Sequence, residues 1–224
     1  MSGLSVIAPA YRNAGTLPEL HRRVKSAAGG SGLQLILVDD ASPDDSRRVI
    51  SELAARDPDV EPIFLARNVG QHAAVLEGMR RARGSWTVVM DADLQDPPEA
   101  IPALLQAAAD DDVDVVFAGR RGRYESRLRL LTSRLFKRTL AVATGLPSDA
   151  GMFFVANRHS VDMLTKMKGA TPFVVAMIGR SGLRTRSIPV QRDRAPAGSS
   201  YTPVMRLRSA IRGLRWAMRR TGED

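Results

Sequence analysis

Five short apolar runs divide the first 120 residues: LSVIAPA at 4–10, LQLILV at 33–38, EPIFLA at 61–66, WTVVM at 86–90 and VDVVFAG at 113–119. Each is short and nearly continuous, as expected of strands covered on both faces, and the stretches between them are long enough to carry a helix. The spacing predicts an α/β fold with a mainly parallel, Rossmann-like sheet flanked by helices and joined by right-handed crossovers. Open sheets of this type bind ligands beyond the carboxyl ends of their strands, so the residues that follow each run are the place to look for function.

Those residues are unusually polar. Pro9, Tyr11, Arg12 and Asn13 follow the first run; Asp39, Asp40, Ser42, Asp44 and Asp45 follow the second; RNVGQHAA follows the third; DADLQDPPE follows the fourth. Helix capping accounts for part of this. Ser42 or Asp40 can cap a helix with Pro43 in its first turn, and Asp96 can do the same ahead of Pro97. Capping consumes at most one carboxylate in each cluster and leaves Asp39, Asp40, Asp91, Asp93 and Gln95 to be explained. In an extended segment Asp91 and Asp93 would point to opposite sides, so facing a common ligand requires a bend after the strand. With that bend, two carboxylates and an amide oxygen offer hard ligands to Mg2+ or Mn2+, whose shell is normally completed by water and substrate phosphate.

Charge is distributed unevenly. Residues 1–112 hold 11 Lys and Arg against 17 Asp and Glu, a balance of −6, while residues 113–224 hold 22 against 7, a balance of +15. An acidic half suited to a metal thus precedes a basic half suited to anions. Zinc-finger spacing, a basic zipper region and an aromatic RNA-binding signature are not found, so nucleic acid is not the expected partner. The chain has no cysteine, which excludes disulfides and thiolate metal sites and agrees with a reducing, cytoplasmic setting. No run approaches the roughly 20 apolar residues of a membrane span, and the first residues do not read as a signal peptide.

The segments VIAPAYRNAGTLPEL, LILVDDASPDDS, RNVGQHAAVLEGMRRARGSWTVVMDADLQDPPEAIPALL and DVVFAGRRGRYES together resemble family 2 glycosyltransferases of the GT-A fold, in the branch that uses polyprenyl phosphates. The resemblance spans roughly residues 4–203. It implies a GT-A domain over 1–203, with a nucleotide-sugar half (1–120) and an acceptor half (121–203), followed by a basic amphipathic helix at 204–224. By position it implies that Pro9, Tyr11, Asn13, Asp39, Asp40 and Asp91 hold the donor nucleotide, and that Asp91, Asp93 and Gln95 form the Mg2+ or Mn2+ site. Asp93, Asp149 and Arg120 would act at the reacting centre, and Arg129, Ser133, Arg134, Arg194 and Ser199 would bind the acceptor phosphate. The chain departs from the family pattern in three places. Arg12-Asn13 stands where Asn-Glu is usual, Gly119 replaces the serine of a Gly-Ser-Arg element, and Ser200 stands where lysine is usual, a gap that Arg192 could fill. His72 reads either as a sugar or phosphate contact or as a hydrogen-bonded structural residue.

The activity implied is metal-dependent, inverting transfer of a sugar from a nucleoside diphosphate to a polyprenyl phosphate, by a protein peripheral to the cytoplasmic membrane face. The 204–224 helix, with Leu207, Ile211, Leu214 and Met218 on one stripe among six arginines, would either lie on an anionic bilayer or dock on the domain. Members of this branch commonly continue into transmembrane helices, so a separate membrane partner is a further expectation, and self-association is open. Two alternatives stand beside this reading: a family 2 transferase acting on a soluble hydroxyl, with Asp149 as base, and a nucleotide-sugar-binding scaffold without turnover.

Overall fold

The computed structural model describes residues 3–28, 32–110, 113–121, 145–167 and 172–193. The acceptor-phosphate candidates Arg129, Ser133, Arg134, Arg194 and Ser199, and the 204–224 helix, lie outside the described residues.

Seven strands form one sheet: β1 (Leu4–Ala10), β2 (Leu33–Asp39), β3 (Val60–Phe64), β4 (Trp86–Val89), β5 (Val115–Arg121), β6 (Phe154–Asn157) and β7 (Thr185–Gln191). Their order is β3-β2-β1-β4-β6-β5-β7. The five expected strands are all present, with ends shifted by at most two residues. β1 pairs parallel with β2 and β4, β2 with β3, and β5 with β7, whereas β6 runs antiparallel between β4 and β5. The apolar run after Asp149 reads as a strand and is β6, only four residues long, whereas β7 opens with three polar residues, has a single buried position and does not stand out by apolar periodicity.

Helices cover both faces. On one face, α1 (Leu17–Ala28), α2 (Ser46–Arg56) and α4 (Ile101–Asp110) bury Leu17, Leu20, Val24, Ile50, Ile101 and Leu104 against Val6, Leu35, Leu37 and Val88. On the other, α3 (Gln71–Arg81), α5 (Arg158–Lys166) and α6 (Val174–Arg180) pack Val75, Met79, Val161, Leu164 and Ile178 against Ile7, Ile36, Val38, Phe117 and Phe154. All seven residues of β2 are buried, the burial expected of a central parallel strand between two helical layers. Burying a Leu- or Ile-sized side chain contributes about 2 kcal/mol, so these two layers supply most of the driving force that holds the strand ends in place.

The helix starts differ from the capping pattern expected. Helix α2 begins at Ser46, and Asp44 Oδ1 accepts from both the Ser46 N–H (3.1 Å) and its hydroxyl (2.6 Å), so Asp44 organises that end rather than Ser42 or Asp40. After β4 the chain makes a 3-10 turn at Pro98–Ala100, and the Asp96 side chain turns instead to Arg192. At α2 a different local carboxylate took over the helix start, whereas after β4 a partner 96 residues away outcompeted the local cap.

Candidate active site

The strand order reverses beside β1: the chain steps outward to β2 and β3, then returns to place β4 on the other flank of β1. A crevice at the carboxyl ends of β1 and β4 follows from that topology. Three residues there adopt left-handed backbone conformations without being glycine: Arg12 (φ 60°) after β1, Ala41 (φ 51°) after β2 and Leu94 (φ 61°) after β4. Each such residue costs on the order of 1–2 kcal/mol, and strain of this kind concentrates where backbone is being aimed at a ligand.

Hydrogen bonds hold the strained turns. The Arg12 N–H donates to Ser42 Oγ (3.2 Å), and the Asn13 N–H donates to Ser46 Oγ (3.0 Å). Asn13 Oδ1 accepts from the Tyr11 N–H (2.9 Å), so the Asn13 side chain folds back on its own turn. Thr16 Oγ1 donates to the Ala92 carbonyl (2.6 Å), joining the turn after β1 to the carboxylate turn after β4.

Asp39 and Asp40 are both buried, 1% and 3% exposed. Asp39 Oδ1 accepts from the Ser42 N–H (3.0 Å), and its other oxygen lies 3.6 Å from Arg47 Nε. The Arg47 guanidinium in turn rests 4.8 Å from the centre of the exposed Phe64 ring, giving the crevice a cation–aromatic shoulder beside Asp39. Asp40 faces inward: its oxygens accept from the Val69 N–H (2.7 Å) and the Gly70 N–H (2.9 Å). Burial raises the Asp40 carboxyl above the usual carboxylate range, against the lowering effect of those two N–H donors. The geometry makes Asp40 a clamp on the loop between β3 and α3, with Gly70 at φ 91° supplying a conformation that side chains disfavour.

The required bend after β4 is present. Residues 92–94 form a turn, and Asp93 Oδ1 accepts from the Gln95 N–H (3.0 Å). Asp91 accepts from Gln71 Nε2 at the start of α3 and lies 3.8 Å from Arg192 Nη2. The nearly fully buried Asp96 takes the Arg192 Nε donor at 2.7 Å, while the Asp193 N–H donates to the Gln95 carbonyl (3.0 Å). The end of β7 is therefore latched onto the carboxylate turn. Sequence reasoning placed Arg192 near the site without identifying its partners, which are 96 and 101 positions away along the chain.

Among the described residues no group of three or more His, Asp or Glu side chains encloses a metal ion. What the turn offers is Asp91 and Asp93, partly exposed hard oxygen donors, with Gln95 beside them. One or two carboxylates completed by substrate phosphate is the donor set that Mg2+ and Mn2+ commonly take, so the residues fit such an ion.

Register locates the rest. Val89 pairs with Phe154, and Phe154 with Phe117. Extended two residues beyond those pairs, the register brings Asp91, Met152 and Gly119 to the same sheet edge, with Asp91 and Gly119 two strands or roughly 10 Å apart. Arg120 follows on β5, paired with Val190, and Asp149 lies in the turn before β6, closed by the Ala150 N–H to the Pro147 carbonyl (3.0 Å). His72 takes the structural role: its Nδ1 accepts from the Val174 N–H (3.3 Å) and its ring packs 4.3 Å from that of Phe173. Burial lowers its pKa to about 4, so it is neutral near pH 7 and Nδ1 is free to accept.

The mixed sheet, with a strained, carboxylate-lined crevice at its switch point, has the GT-A fold. Solved structures agree. Glucosyl-3-phosphoglycerate synthase from Mycobacterium tuberculosis, in complex with Mn2+, UDP-glucose and phosphoglyceric acid, superposes with a TM-score of 0.72 over 99% of this chain and 81% of that one, at 18% identity. A mannosyltransferase from Pyrobaculum calidifontis, in complex with GDP-Man and Mn2+, gives 0.69 over 100% of this chain and 66% of that one, at 20% identity. Residues 5–164 match Glycosyl transferase family 2, and the chain belongs to that family. Curated relatives are undecaprenyl-phosphate 4-deoxy-4-formamido-L-arabinose transferases. The one from Klebsiella pneumoniae subsp. pneumoniae is 36% identical over 209 residues, covering 91% of this chain and 64% of its own length. The one from Shewanella sediminis is 36% identical over 210 residues, covering 91% and 63%. The chain thus spans a little under two thirds of these relatives.

Proposed function

We propose that this protein transfers a sugar from a nucleoside diphosphate to a polyprenyl phosphate, with inversion at the anomeric carbon. The observation that carries the reading is the single sheet edge onto which Asp39, Asp91, Asp93 and the Asp149 turn converge, in a chain whose curated relatives at 36% identity act on undecaprenyl phosphate. Asp39, with Pro9 and Tyr11, would hold the base and ribose, since a carboxylate accepts hydrogen bonds from N–H and hydroxyl groups. Asp91 and Asp93, with Gln95, would hold Mg2+ or Mn2+, which neutralises charge on the departing diphosphate.

A phosphate oxygen of the acceptor attacks the anomeric carbon, and the bond from that carbon to the diphosphate breaks, its electron pair leaving with the nucleotide. The attacking oxygen is already ionised near neutral pH, so the protein's main tasks are orientation and charge placement. Arg120 would steady the leaving diphosphate. Asp149 would orient the sugar or acceptor, and the arginines outside the described residues, Arg129, Arg134 and Arg194, with Ser133 and Ser199, would take the lipid phosphate. Among the described residues no helix is long and apolar enough to cross a membrane. The +15 half would bring the chain to an anionic surface, where each cation contributes about 1 kcal/mol.

The test is transfer of radiolabel from UDP- and GDP-sugars to undecaprenyl phosphate in detergent with Mn2+, comparing wild type with Asp93→Ala. A lipid-extractable product that vanishes in the variant is expected. Product formed only on a soluble hydroxyl acceptor, or nucleotide binding with no transfer at all, would overturn the reading.

A further inference from the structure

Gly119 stands where the resembling family carries a serine, and its surroundings show what the missing side chain makes room for. A Cβ built on Gly119 would lie 2.0 Å from Asp149 Oδ2, 2.9 Å from Asp149 Cγ and 2.4 Å from Ser187 Oγ. No side chain fits there while Asp149 keeps its place. The backbone does not demand glycine at this position, because Gly119 is not among the residues of positive φ. Its role is spatial.

The pleat explains how the three residues meet. Phe117 and Gly119 point to the same face of β5, and Ser187 on β7 is the register partner of Phe117. Beyond the large, fully buried Phe117 ring, that face drops to a bare Cα at Gly119, leaving a niche at the strand end into which the 147–150 turn delivers the Asp149 carboxylate. Among the described residues, Ser187 Oγ is buried without a hydrogen-bond partner. A buried hydroxyl left unpaired costs about 1–3 kcal/mol, and the carboxylate that crowds the same empty Cβ position is an acceptor within reach of a small side-chain adjustment.

We propose that Gly119 and Ser187 are positioning residues for Asp149: Gly119 provides the niche that seats the carboxylate at the donor edge, and the Ser187 hydroxyl engages it there. This rests on the reading of Asp149 as a group that orients sugar or acceptor. The hydroxyl that a serine at 119 would bring along β5 is supplied instead across the ladder, from β7.

A double-mutant cycle decides it, with kcat and donor KM measured in the lipid-transfer assay and folding followed by thermal melting. Gly119→Ala is expected to lower kcat by about a hundredfold, the scale set by a misplacement of about 1 Å, with donor KM within a factor of two and no further loss when combined with Asp149→Asn. Ser187→Ala is expected to lower kcat severalfold and likewise to add nothing to Asp149→Asn; this arm decides the matter if Gly119→Ala does not fold. A folded Gly119→Ala enzyme with wild-type kcat, or losses that multiply with Asp149→Asn, overturns the positioning role while leaving the role of Asp149 intact. Full activity in Asp149→Asn removes that role and the proposal with it, and a wild type that transfers nothing removes the proposed reaction itself.

Discussion

Asp40 links the stability of the fold to the shape of the site, and removing it has a calculable consequence. Its two oxygens hold the N–H groups of Val69 and Gly70 at 2.7 and 2.9 Å, in a loop that otherwise has little core of its own, since Val69 is 38% exposed. Hydrogen bonds to a charged group contribute about 1.5–3 kcal/mol each, giving a gross loss of about 3–6 kcal/mol in Asp40→Ala. Two effects reduce it. Water can reach the freed N–H groups, and burial already penalises the charged carboxylate, as its raised pKa records. A net loss of about 2 kcal/mol remains, or a fall in Tm of roughly 4–8 °C for a chain of this size. Asp40→Asn keeps one acceptor and sets an NH2 group against the other N–H, so it should lose at least half as much.

Linkage gives a second signature. Because the folded-state pKa of Asp40 lies above 3.8, the folded chain binds more protons than the unfolded chain in the window above that value, and this group's contribution to stability falls as pH rises through it. Urea denaturation of wild type, Asp40→Asn and Asp40→Ala between pH 4 and 8 would measure both effects. The asparagine variant should lose that downward slope. The loop leads directly into Gln71, the first residue of α3 and the partner of Asp91, so the same variants should raise donor KM. An Asp40→Ala protein within about 0.5 kcal/mol of wild type would show that the loop is held by something else.

Three further outcomes are expected. Burial would raise the Asp57 carboxyl, but bonds from His21, the Asp59 N–H and Lys25 outweigh it and take the pKa to about 2; this stabilisation is complete above about pH 4 and disappears as pH falls toward 2, so Asp57→Asn should flatten that limb in thermal melts. The His72 ring should titrate with a midpoint near 4 by NMR, and a midpoint near 6.5 would contradict its burial against Phe173 and Val174. Arg192→Met strands the buried Asp96, whose Oδ2 has no partner among the described residues, and should cost about 3 kcal/mol in urea denaturation; pairing it with Asp96→Asn should recover part of the loss.

Apolar run length and turn chemistry were enough to place β1 to β5 and to point at the strand ends, because central parallel strands must be apolar on both faces and the polar residues after them then have few structural uses. The same reasoning misassigned the caps. Ser42, Asp40 and Asp96 satisfied the local pattern for helix starts, but Ser42 took the Arg12 N–H, Asp40 took the 69–70 loop and Asp96 took Arg192. His72 shows the same limit: its residue type allowed either ligand contact or structure, and the approach of α6 from a hundred residues away selected structure.

What the sequence by itself determined was the class of fold and the carboxylate edge, since hydrophobic periodicity and the DxD turn are local properties carried by neighbouring residues. Tertiary structure alone decided which of those carboxylates remain at the crevice and which become struts. Only the antiparallel insertion of β6 brings the Asp149 turn to the sheet edge that carries Asp91, and only the β5–β7 register sets Ser187 beside Gly119. Both depend on strand pairings between distant segments, and the free energy of such a pairing belongs to two stretches of chain at once.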